Sequence, residues 1–83
     1  LRQNAPNPFN PSTTISYDLP EDTRVTLRIF NVLGEEVEIL VDAVESAGYK
    51  SVNFDARELA SGMYFYRLQT GQFSVVKKLL LLK

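Results

Sequence analysis

Thr13-Thr14-Ile15-Ser16-Tyr17-Asp18-Leu19-Pro20-Glu21-Asp22-Thr23-Arg24-Val25-Thr26-Leu27-Arg28-Ile29-Phe30 carries two runs of alternating apolar and polar residues on either side of a turn. In the first run Ile15, Tyr17 and Leu19 share one face and Thr14, Ser16 and Asp18 the other, the period-2 pattern of a half-buried strand. Pro20-Glu21-Asp22 then breaks it, with proline setting φ for a turn and acids following it. From Arg24 to Phe30 the pattern resumes, Val25, Leu27 and Ile29 facing inward against Thr26, Arg28 and Phe30.

The alternation continues outward from this pair. Asn31-Val32-Leu33-Gly34 ends the second strand, since Gly34 adopts positive φ at no steric cost. Glu35 to Val41 places Val37, Ile39 and Val41 on one face, with Leu40 out of register as a bulge or a second packed face. Asp42 to Ala47 reads as a short polar connection closed by Gly48, and Tyr49 to Asp55 as a fourth strand with Val52 and Phe54 inward. Asp55 to Gly62 alone has helix-like composition, but it is short and ends in Ser61-Gly62, which predicts a single turn or loop with Leu59 tucked in. Met63 to Gln69 is aromatic-rich, Thr70-Gly71 predicts a two-residue hairpin, and a last strand runs from near Gln72 to Leu82. Short strands with regular turns and no long helical period predict an antiparallel sandwich of about six or seven strands over residues 13–83. Residues 1–12 hold three of the four prolines and read as an extended lead-in or linker, with Phe9 as its one apolar hook.

Composition narrows the function. The 83 residues make one small domain, and 45% hydrophobic against 23% charged residues is the balance of a folded chain. There is no Cys and no His, which removes thiolate nucleophiles, disulfides, imidazole bases and the commonest zinc ligands, so no catalytic role and no cofactor is expected. A net charge of −1 argues against nucleic acid, whose binding needs a basic face. Leu79 to Leu82 is the terminal apolar run, far short of the roughly 20 residues that span a bilayer. The N-terminus has neither an initiator Met nor a signal-peptide pattern and reads as a piece of a longer chain.

Among candidate sites, Glu36 and Glu38 fall on one strand face opposite Val37 and Ile39 and read, with Glu35, as solvated surface. Asp18, Asp42, Glu45 and Asp55 offer oxygen ligands but lack the spacing of a calcium loop. Ser12, Thr13 and Thr14 have no imidazole to activate them, and Pro11 disqualifies Asn10-Pro11-Ser12 as a glycosylation frame. Tyr64 and Tyr66 share a face that Leu68 continues, which suits core packing, with a stacking platform for sugars as the alternative. The C-terminus is more distinctive. From Arg67 onward the charges are Arg67, Lys77, Lys78 and Lys83, with no acid. Lys77-Lys78-Leu79-Leu80-Leu81-Leu82-Lys83 reads either as a strand buried on both faces whose lysines guard a sheet edge, or as a strand that a partner recognises.

Five segments in order resemble a known family: Asn7-Pro8-Phe9-Asn10-Pro11-Ser12-Thr13-Thr14-Ile15, Leu19-Pro20-Glu21, Ile29 to Val37, Ala60 to Leu68, and Lys77 to Lys83. Together they resemble the type A C-terminal sorting domain of type IX (Por) secretion substrates. That resemblance implies a small immunoglobulin-like β-sandwich at the end of a larger exported protein of the Bacteroidetes and related phyla. It implies recognition by an outer-membrane translocon after passage through the periplasm, and removal by a sortase-like cysteine protease in or upstream of the lead-in, leaving the cargo on the cell surface or outside the cell. Carried onto this chain, Gly62 and Tyr64 match the family's Gly-x-Tyr element, and Lys77, Lys78 and Lys83 its basic terminal element. The same segments also resemble the immunoglobulin-like domain of flagellar hook-capping proteins and its relatives on secreted glycoside hydrolases, which implies a structural or assembly module instead. A carbohydrate-binding module is the third alternative.

Overall fold

In the computed structural model, which describes residues 1–8 and 11–83, the alternating runs form β1 (Ser12–Leu19), β2 (Thr23–Phe30), β3 (Glu36–Glu45), β4 (Gly48–Asp55), β5 (Gly62–Gln69) and β6 (Ser74–Leu81). Every strand pairing is antiparallel, in a two-stranded sheet β1-β4 and a four-stranded sheet β3-β2-β5-β6. The chain changes sheet from β1 to β2, β3 to β4 and β4 to β5, and stays within a sheet at the β2–β3 and β5–β6 hairpins. These are the B-E and C′-C-F-G pairings of an immunoglobulin domain. The fold is therefore the small immunoglobulin-like antiparallel β-sandwich that the resemblance implied, with six strands among the described residues.

The alternation decides the core. Ile15, Tyr17 and Leu19 of β1 and Phe54 of β4 are at most 3% exposed, and they meet Val25, Leu27 and Ile29 of β2, Tyr66 and Leu68 of β5, and Leu79 and Leu81 of β6. Each such burial contributes about 1.5–3 kcal/mol. Asn31 shapes the β2–β3 hairpin: its Oδ1 accepts from the amides of Leu33 and Glu35, and Gly34 takes φ +82°. Residues 56–61 form the expected turn, with Leu59 N–H donating to Ala56 O at 3.0 Å and the Leu59 side chain packed on the core.

Three expectations need correction. First, Val37 and Ile39 do not face the core but are 36% and 46% exposed. The β2–β3 ladder shifts register between Leu27 and Arg28 and again between Ile29 and Phe30, leaving Leu40 and Val37 as extra residues. Leu40 thus marks a bulge as expected. Each inserted residue reverses which side chains face the core, so Ile39 lands opposite Arg28 on the outer face while Leu40 and Val41 are the half-buried pair. The strand also runs on to Glu45, because β2 supplies ladder partners as far as Thr23↔Glu45 and pairing overrides the polar composition of the segment.

Second, the β5–β6 connection is four residues, not two: the strands close at Gln69↔Ser74. Thr70 N–H donates to Phe73 O at 2.9 Å, Thr70 Oγ1 accepts from the amides of Gln72 and Phe73, and Phe73 packs against the core instead of starting the strand. Third, β6 is an edge strand buried on one face only. Leu79 and Leu81 are fully buried, whereas Val76 and Leu82 are 55% and 49% exposed.

Residues 1–8 lie along the outer side of β1. Arg2 N–H donates to Ser16 O at 2.9 Å, and Ala5 and Thr14 exchange both backbone hydrogen bonds at 3.0 Å. The Ala5–Pro6 and Asn7–Pro8 peptide bonds are cis. The expected hook, Phe9, lies outside the described residues.

Candidate functional site

β6 pairs with β5 along its whole length, from Gly62↔Leu81 to Gln69↔Ser74, and Leu79 and Leu81 anchor it to the core. Strand parity turns Lys77 to the inner side, opposite Tyr66, and Lys78 to the outer face, opposite Phe65. Lys77 is half-buried, Lys78 and Lys83 are exposed, and none of the three takes part in an ion pair among the described residues. The lysines therefore do not converge on one point. They string along an edge, Lys77 and Lys83 about 20 Å apart at strand spacing.

The end of that edge is held by the turn before β5. Lys83 N–H donates to Ser61 Oγ at 3.1 Å, and Lys83 Nζ donates to Arg57 O at 2.5 Å. Arg57 is itself fixed by Asp55, its Nη2 2.5 Å from Asp55 Oδ2, and that hydrogen bond holds the Asp55 carboxyl below the usual carboxylate range. The Tyr64 ring is buried and its hydroxyl donates to Ala60 O at 2.7 Å, closing the turn in the manner of the tyrosine corner of immunoglobulin folds. Gly62 has φ +147°, where a side chain is strained although no atom lies within 4 Å of the Cβ position. Gly62, half-buried, and Tyr64, buried, thus build the corner beside the Ser61 and Arg57 groups that hold Lys83. Tyr64 and Tyr66 are core residues, so they form no sugar platform.

Sequence reasoning missed what lies beside β6. Gln3 Nε2 donates to Lys78 O at 2.7 Å, and Leu80 N–H donates to Asn7 Oδ1 at 2.9 Å. The buried Tyr66 hydroxyl donates to Arg2 O at 2.8 Å and accepts from Asn4 N–H at 2.7 Å. Asn4, 2% exposed, donates through Nδ2 to Thr13 Oγ1 and Pro6 O, both at 3.0 Å. The N-terminal segment thus straps β1 to the outer edge of β6. The polar residues Gln3, Asn4 and Asn7 have no period to find them by, and of the three only Asn4 is a buried polar side chain whose partners the fold must supply.

The other candidates disperse. Asp18 pairs with Arg2, Asp42 with Arg24, Asp55 with Arg57, and Glu45 accepts from Tyr17 at 2.5 Å. Burial, then the Glu45 hydrogen bond, raise the Tyr17 hydroxyl above its ordinary value, and burial raises that of Tyr66. Thr13 is buried and donates to Pro6 O at 2.7 Å, so its hydroxyl is structural. Among the described residues no group of three or more acidic side chains is placed to hold a metal ion, and no helix is long and apolar enough to cross a membrane.

The structure is thus a C′-C-F-G and B-E sandwich whose β6 edge is basic and strapped by the N-terminal segment. Residues 5–82 match the family described as the secretion system C-terminal sorting domain, and the chain belongs to that family, the sorting signals of type IX secretion. No curated protein and no solved structure matches it. Membership implies a larger precursor recognised by the type IX machinery and carried out of the cell.

Proposed function

We propose that the type IX outer-membrane translocon reads this domain along β6, with Lys77, Lys78 and Lys83 as its contacts, and that Gly62 and Tyr64 act by building the corner that fixes Lys83. The observation that carries this is the set of three cations, without ion-pair partners among the described residues, on and just after a strand that Leu79 and Leu81 lock to the core. Ordered cations with no local counter-charge favour steering toward an acidic partner over internal stability. Strand addition by the partner is the less favoured contact, because Gln3 and Asn7 already occupy Lys78 O and the Leu80 amide on the free edge of β6. Release of the cargo by a sortase-like cysteine protease is proposed upstream of Arg2. Supporting that position, Arg2 and Asn4 are hydrogen-bonded into the sandwich, and proteases need an unpaired extended chain.

Truncating β6 is a poor test, since it strips Leu79 and Leu81 from the core. The triple substitution Lys77→Gln, Lys78→Gln and Lys83→Gln, in residues 1–83 fused behind a signal peptide and a fluorescent cargo, removes the charges alone. The expected result is a loss of surface or medium fluorescence of about tenfold or more in a type IX host, with cargo retained in the periplasm and the domain still folded by circular dichroism. Unchanged export would show that the lysines are not read.

A further inference from the structure

The outer face of the four-stranded sheet gathers basic and aromatic side chains from β2, β5 and β6. At its centre Arg28 of β2 and Arg67 of β5 are directly opposite one another in the ladder. Like charges so placed repel and destabilise a sheet. The fold relieves this at Arg28 with a carboxylate and at Arg67 with an aromatic ring only. Arg28 Nε lies 3.3 Å from Glu36 Oε1, and the Arg67 guanidinium sits 4.9 Å over the Phe30 ring. The Nε atoms of both arginines are buried and have no hydrogen-bond partner among the described residues. A desolvated N–H donor without a hydrogen bond, as at Arg67, costs stability that an ordinary surface residue does not.

The surroundings give the site a shape and a charge. On one side of the arginine row a shallow hollow of about 300 Å³ is bounded by Phe30, Phe65, Arg67 and Val76. On the other side a hollow of similar size is bounded by Arg24, Thr26, Arg28 and Gln69. The face presents Arg24, Arg28, Arg67 and Lys78 against the carboxylates of Glu36 and Asp42 alone, in a chain whose net charge is −1.

We propose that this face docks a protein partner that brings a carboxylate to the Arg28–Arg67 pair and an apolar side chain to the hollow bounded by Phe30, Phe65 and Val76. A planar carboxylate matches the guanidinium fork and would supply the counter-charge that Arg67, which has only the Phe30 ring beside it, lacks among the described residues. Arginine with aromatic neighbours is the composition of protein interfaces. The rings of Phe30 and Phe65 are half-buried, and the Arg67 guanidinium covers the Phe30 ring. The surface borders the proposed export signal through Lys78, but its two central arginines are not among the terminal lysines and can be substituted with those intact.

The test is an NMR titration of the ¹⁵N-labelled 83-residue chain, following the Nε–H resonances of Arg28 and Arg67. The probe is a blocked six-residue peptide alternating glutamate with leucine and phenylalanine. Its counterpart with glutamine in place of glutamate and vesicles of phosphatidylglycerol are run beside it. The expected result is saturable shifts of both Nε–H signals with the glutamate peptide, at least tenfold weaker binding of the glutamine peptide, and loss of binding in Arg67→Gln and in Arg28→Gln. Absent shifts in the wild-type chain, equal binding of the two peptides, or binding to vesicles in preference to the peptide would each overturn the proposal. Export of cargo fused to the same two variants, with Lys77, Lys78 and Lys83 intact, separates this surface from the terminal signal.

Discussion

The Tyr66 hydroxyl shows how single residues tie the molecule together. It sits in the core of β5 and joins Arg2 and Asn4, over sixty positions away, to the main sheet. That Tyr64 and Tyr66 would be buried was legible, because Leu68 continues their face. Their hydrogen-bond partners were not, since a hydroxyl gives no sign in sequence of the distant backbone that will meet it. Both Tyr17 and Tyr66 have hydroxyls raised above their ordinary value, chiefly by burial. The unfolded chain therefore loses these protons near pH 10, while the folded chain keeps them. Folding stability is fully present below about pH 10 and falls as pH rises from there to the folded-state value, by at most about 1.4 kcal/mol per pH unit for each such group. Urea denaturation between pH 9 and 12 should show this fall, and Tyr17→Phe should make it shallower by roughly one group's share. Equal slopes in the two proteins would contradict the assignment.

At the scale of the element, alternation in the sequence located all six strands, because a period of two depends only on which residues seek the core. Register is a different matter. The two shifts in the β2–β3 ladder arise from pairing between strands, and composition showed only Leu40 out of step. The result is that Ile39 and Val37, apolar and apparently inward, sit on an exposed edge. Substitution here should separate edge from core. Ile39→Lys should change unfolding free energy by less than about 0.5 kcal/mol, while Leu27→Ala, fully buried in the neighbouring strand, should cost about 2–5 kcal/mol. Chemical denaturation midpoints read both. A large loss from Ile39→Lys would mean that β3 packs inward after all.

Taken whole, the molecule is asymmetric. One side, where β1 and β6 meet, is closed by the N-terminal strap, and the other leaves the outer edge of β3 unpaired among the described residues. Charge divides the same way: β3 carries Glu36, Glu38, Asp42 and Glu45, while β6 carries Lys77 and Lys78 and no acid. The absence of His and Cys and the basic end of an acidic chain were visible in composition, and they pointed to a signal more than a catalyst. The strap and the Arg28–Arg67 row were not visible, because both depend on strands distant in sequence becoming neighbours. The central claim is that this sandwich suffices as an export address. Residues 1–83, fused behind a signal peptide and a fluorescent cargo, should be expressed in a type IX host and in the same host lacking the outer-membrane translocon. The account predicts cargo on the surface or in the medium of the first strain and confined to the periplasm of the second. Periplasmic cargo in both strains, with the domain folded, would contradict it.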